Sequence, residues 1–125
     1  MNLIIFLCGL HSVALAIFHI SFWKLFNWKS DLKSLSYANR VIIQILNTRL
    51  IYFFLFVAFL CFAYPNELAD TNLGKAFLVG ISLFWLGRTV EQFIFLKKHN
   101  TFIHILTIVF ITGAILFALP LLLTK

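Results

Sequence analysis

The chain has 125 residues, 62% of them hydrophobic and 11% charged, with a formal net charge of +6. A soluble domain carries about 25% charged residues, so the deficit excludes an ordinary soluble fold. The positive charge does not indicate nucleic acid either, because the basic residues sit in particular connections between apolar runs instead of forming one patch.

Four runs carry nearly all of the chain: about Leu3–Trp23, Val41–Tyr64, Ala76–Leu96 and Phe102–Leu123. Each reaches the roughly 20 apolar residues that cross a bilayer core. They predict an all-α membrane protein, a four-helix up-down transmembrane bundle forming a single domain over residues 1–125. The first run lacks a basic leader and continues past Ala14-Leu15-Ala16, so it is expected to be retained as a span. Bulky Leu7 before Cys8 argues against a lipoprotein signal. His11 and His19 lie two turns apart and look the same general way, about 12 Å apart along the axis.

In the first connection Leu25, Trp28, Leu32 and Leu35 recur at three- and four-residue steps, while Lys24, Lys29, Asp31 and Lys33 take other faces. This predicts a short amphipathic interfacial helix over Lys24–Ser36, its lysines toward anionic lipid and Trp23, Trp28 and Tyr37 at headgroup depth. In the second run Arg40, Gln44 and Asn47 share a stripe. Arg49 points nearly opposite Arg40, and can snorkel, pair with Glu91 or face a pocket in place of Asn47. Pro65 closes the run at Tyr64-Pro65-Asn66, and Asp70, Thr71 and Asn72 offer caps for the third. There Phe84, Arg88, Glu91 and Phe95 share a face, and Arg88 can reach Glu91 or Gln92 along its own helix. Asn100 or Thr101 caps the fourth run, where Thr101, His104 and Thr107 form a polar side and Pro120 falls near the end. Cys8 and Cys61 are expected as small packing residues, although a disulfide between neighbouring spans can be drawn.

The first connection holds Lys24, Lys29, Lys33 and Arg40 and the third Lys97 and Lys98, whereas the second sets Glu67 and Asp70 against Lys75. Cytoplasmic loops are enriched in Lys and Arg. This predicts a bacterial inner-membrane protein with the first and third connections cytoplasmic and both termini outside. In that frame His19, Gln44, Glu91, Gln92 and His104 enter the spans by a turn or two, Asn47 and Arg88 lie about 10–12 Å deep, and His11 approaches mid-bilayer. Polar side chains inside spans are costly and usually face a bundle interior. His11, His19, Gln44, Asn47, Arg88, Glu91, Gln92 and His104 are therefore the candidate ligand-binding residues.

Their chemistry leaves three classes. The leading expectation is a cytoplasm-facing intramembrane polar pocket that binds or transports a small polar or amphiphilic ligand, with proton coupling at Glu91 or His104. The second is a redox protein holding haem b or quinone through His19, His104 and Arg88. The third is an accessory subunit whose polar residues join helices to one another, to further copies of the chain or to a larger membrane complex; the Arg88–Glu91 pair then serves as a buried staple. Nucleophilic catalysis finds little support, so an enzyme is the lesser expectation: Ser12, Ser21 and Ser82 lack a G-x-S-x-G context, and neither C-x-x-C nor Cys/His metal spacing is present. Size and span number match the small multidrug exporters, but the first span lacks their membrane-embedded Glu.

Ser36-Tyr37-Ala38-Asn39-Arg40, Leu83-Phe84-Trp85-Leu86-Gly87-Arg88 with Gln92, and Asn100-Thr101 with His104 resemble segments of small four-span bacterial membrane proteins without an assigned function. The resemblance covers the chain and implies the fold.

Overall fold

A computed structural model describes residues 3–96 and 100–123. The basic pair Lys97 and Lys98 of the third connection lies outside the described residues. The chain is all-α, with no strand among the described residues. In order it forms α1 (Leu3–Ile20), α2 (Phe22–Leu25), α3 (Trp28–Asp31), a 3-10 turn (Leu32–Ser34), α4 (Tyr37–Ala63), α5 (Pro65–Asp70), α6 (Asn72–Phe95) and α7 (Thr101–Leu123). Four of these, α1, α4, α6 and α7, are long and apolar enough to cross a membrane, which makes this an integral membrane protein.

The helices depart from the apolar windows at their ends. α1 stops at Ile20, whereas α4 begins at Tyr37 and α6 at Asn72, about a turn before their windows. A hydropathy window marks what lipid accepts. A helix can add a polar first turn outside it, as Tyr37-Ala38-Asn39-Arg40 does.

Contacts divide the chain into two compact units, Gly9–Phe59 and Met1–Cys8 with Leu60–Lys125. In the Gly9–Phe59 unit, Ser12, Leu15, Ala16 and His19 are buried along one face of α1, at i, i+3, i+4 and i+7. Asn47, Phe54, Val57 and Ala58 are the buried residues of its stretch of α4. Ile17, Ile20, Ile42, Ile45 and Leu46 stay exposed, as lipid-facing positions must. Lipid removes the hydrophobic drive between helices, so packing and interhelical hydrogen bonds hold them instead. Asn47 supplies one such bond, its Nδ2 donating to the His19 carbonyl oxygen at 2.9 Å. Bonds of this kind contribute about 0.6 kcal/mol on average. The unit is thus held mainly by fit, with the amide fixing register.

The connection between α1 and α4 is helical as expected, but it is not one helix. Asn27 adopts left-handed backbone angles, φ 51 and ψ 48. A right-handed helix cannot pass through such a residue, and Asn is one of the few types that tolerates it. The segment therefore breaks after α2, and α3 turns back so that the Trp28 ring meets Phe22 at 5.7 Å and Trp23 at 5.4 Å, both edge-on.

In the other unit, α6 and α7 pack along seams that repeat about every seven residues. Gly74, Leu78, Ile81, Trp85 and Gln92 are buried on α6, and Phe110, Gly113, Phe117 and Pro120 on α7. The Ser82 hydroxyl donates to the Ala114 carbonyl oxygen at 2.7 Å, and Trp85 stacks on Phe110 at 5.5 Å and 13°. The Cys8 thiol donates to the Leu116 carbonyl oxygen at 3.2 Å. Cys8 and Cys61 are both free and buried, as packing thiols are.

Pro65 opens α5 at its first turn, where its missing N–H costs nothing. Of the cap candidates, Thr71 is the one used: its hydroxyl accepts from Gly74 N at 3.0 Å and donates to the Glu67 carbonyl oxygen at 2.6 Å. Gly74 then sits directly against α5. A methyl group there would run into the Glu67 carbonyl oxygen and the Leu68 backbone. At the other cap, Asn100 Oδ1 accepts from Ile103 N at 2.9 Å.

Candidate functional site

The eight candidate residues fall as two sets. His11, His19, Gln44 and Asn47 belong to the Gly9–Phe59 unit; Arg88, Glu91, Gln92 and His104 belong to the other.

In the second set each polar group meets its own surroundings. The Arg88 guanidinium, half-buried, lies 4.6 Å from the centroid of the Phe110 ring whose other neighbour is Trp85. A cation held over a ring in this way contributes about 0.5–2 kcal/mol. Glu91 is exposed, so the pair with Arg88 is not a buried one. Gln92 is buried, and its Nε2 donates to the Ile103 carbonyl oxygen at 3.3 Å while Oε1 has no hydrogen-bond partner. His104 is exposed. Arg88 and Gln92 therefore dock onto α7, through a ring and a carbonyl respectively.

In the first set the groups are linked. His19 is buried; its Nδ1–H donates to the Leu15 carbonyl oxygen at 2.8 Å, and its ring stacks on Phe22 at 4.4 Å with Phe54 at 5.0 Å. The carbonyl of the same residue receives the Asn47 amide. One turn earlier on α4, Gln44 uses both ends of its amide: Oε1 accepts from Trp23 Nε1 at 3.0 Å, and Nε2 donates to the Arg40 carbonyl oxygen at 3.1 Å. His11 is half-buried. Arg49 is exposed, its guanidinium 5.7 Å from the Tyr52 ring centroid, which settles its direction away from the Gln44 and Asn47 stripe.

The Trp23–Gln44 bond forms one wall of a cavity of about 490 Å³. This lies inside the roughly 300–1,000 Å³ range of ligand pockets. Trp28 and Leu32 supply further apolar lining, and Lys24, Lys29 and Arg40 supply cations, with no carboxylate among the lining residues. Arg40 is steadied by Tyr37, whose ring centroid is 5.9 Å from its Cζ. Only Gln44 of this lining stands among the eight candidate ligand-binding residues. The others follow from the break at Asn27, which folds Trp28 onto Trp23. The signal for it in the sequence is slight: one asparagine between Phe26 and Trp28.

A second cavity, about 450 Å³, lies in the other unit beside α5. Tyr64, Leu68, Leu73 and Phe77 line it, with Glu67 the one charged lining residue. It holds no amide or imidazole and one exposed carboxylate, so it offers less to orient a ligand.

Among the described residues no three His, Cys, Asp or Glu side chains gather closely enough to hold a metal ion. The two imidazoles of the haem alternative, His19 and His104, fall in different units. No family model, no curated protein and no solved structure matches the chain significantly.

Proposed function

We propose that the chain is a small-ligand binding protein of the membrane, and that its site is the cavity between α2, α3 and the start of α4, where it takes an amphiphile. One observation carries this reading: two indoles and a leucine form an apolar hollow, the hollow is framed by an amide with both ends fixed, and three cationic side chains surround it without an acidic one. Trp and Lys favour headgroup depth, where a molecule with one polar and one oily end comes to rest. The buried His19 and Asn47 are then supports: they hold α1 to α4 one turn deeper and keep the Trp23–Gln44 wall in place.

The test uses purified protein in a neutral detergent and nitroxide-labelled single-chain amphiphiles, with indole emission as the readout. Saturable quenching is expected, weakened about tenfold in Trp28→Ala, since losing an aromatic wall costs on the order of 1–2 kcal/mol. Quenching that rises linearly with probe and is equal in the variant refutes a discrete site.

A further inference from the structure

The charge of the cavity specifies the head of its ligand. Resting on the pocket reading above, we infer that the site selects a phosphate-bearing anionic head, held by Arg40 with Lys24 and Lys29, while the indoles and Leu32 take the adjoining apolar part. Three cations line the cavity and no carboxylate does. Asp31 lies on α3 beside Lys29 but is exposed and outside the lining. An unliganded cluster of three like charges repels itself, and an anion relieves that repulsion.

The three cations differ in a way that suits phosphate. Arg40 is half-buried, emerges from the first turn of α4 and is steadied by the Tyr37 ring, so its planar fork is limited in the directions it can take. A guanidinium fork matches two phosphate oxygens at once. Lys24 and Lys29 are exposed, one on α2 and one on α3, and act as point charges from the two sides of the Asn27 break. The Trp23 N–H does not compete for the anion, because Gln44 already accepts it. The Gln44 oxygen is engaged by that indole and one of its amide N–H groups by the Arg40 carbonyl oxygen. Beside the neutral Trp28 N–H, the charge that the cavity presents is that of three cations. That arrangement favours an anion over an uncharged polar head. It favours a monoester or diester phosphate over a zwitterion, whose ammonium group would meet the same cations.

The decisive measurement compares nitroxide-labelled dodecyl phosphate, dodecylphosphocholine and an uncharged dodecyl glycoside as quenchers of indole emission in neutral detergent. Dodecyl phosphate is expected to bind about tenfold more tightly than the other two, the scale of one charge-assisted contact. Arg40→Gln should remove most of that preference and Arg40→Lys only part of it. Lys24→Gln with Lys29→Gln should reduce it by several fold and lower its salt dependence. Unchanged helical circular dichroism shows that each variant is folded. Because both lysines are exposed, the double variant tests the charge even if the Arg40 variants unfold.

Equal affinity for all three probes, unaffected by the substitutions, overturns the phosphate inference and leaves the amphiphile pocket standing. Saturable quenching by none of them overturns both. Two competitors then separate the sources of the phosphate. Displacement by phosphatidylglycerol vesicles but not by inorganic phosphate identifies a membrane lipid head; displacement by inorganic phosphate as well identifies a site open to water-soluble phosphate esters. Displacement of dodecyl phosphate by phosphatidylcholine vesicles as effectively as by phosphatidylglycerol vesicles counts against charge selection.

Discussion

Two connections of this protein solve the same problem in opposite ways. Each joins long apolar helices through a short helical segment. Between α1 and α4 the segment breaks at a left-handed asparagine and leaves a hollow ringed by indoles and cations. Between α4 and α6 the segment is a single short helix, α5, and its backbone is pressed so closely on Gly74 that no side chain fits between them. The first spends backbone conformation on making space. The second spends side-chain volume on removing it. Where the chain leaves a hollow it adopts an uncommon φ; where it holds a helix close it carries a glycine.

The largest effect tests the tight connection. Gly74→Ala is expected to lower stability by about 3 kcal/mol, because the methyl group meets backbone that cannot yield. Gly80 and Gly87, on the same helix, have nothing within 4 Å of an added methyl group, so Ala there should be neutral or stabilising by up to about 1 kcal/mol. Unfolding midpoints followed by circular dichroism in mixed detergent give the comparison, and equal effects at all three positions would erase the contrast. Next comes the open connection. Asn27→Val should cost about 1–2 kcal/mol, since a branched residue resists left-handed angles, while Asn27→Gly should cost little. Amphiphile binding should fall with Asn27→Val and persist with Asn27→Gly, which separates the geometry of the break from the asparagine side chain. The smallest effect is the cap: Thr71→Ala should cost about 1 kcal/mol, and Thr71→Ser should restore most of it.

The same contrast explains what could be read in the sequence. Spans are legible because a bilayer imposes length and composition on every residue of a helix, and the four apolar runs coincide with α1, α4, α6 and α7 to within a turn. Caps are legible because Thr71 and Asn100 act on amides three residues away. The candidate site was less so. Periodicity singles out Gln44 by its stripe on α4, yet its partner Trp23 lies before the interfacial segment and is joined to it only by the fold. Arg88 and Glu91 have the spacing of a pair, but a ring on α7 offers the guanidinium a neighbour that helical spacing cannot reveal. The single amphipathic helix failed at Asn27 because the hydrophobic steps of Leu25, Trp28 and Leu32 carry no information about one backbone angle between them. Lys24 and Lys29, expected on faces apart from Trp28 and Leu32, line one hollow together with them, because the break at Asn27 changes which faces meet.

Cys8 and Cys61 have a practical consequence for handling the molecule. Both thiols are closed off, with relative exposures of 0% and 1%, and one is engaged with a carbonyl oxygen across to α7. A bulky maleimide has no approach to either sulfur while the native packing persists, so alkylation becomes an intrinsic clock of its loss. A single cysteine introduced at the rim of the hollow would then be the one handle that a spectroscopic tag can reach, with the wild-type background left intact.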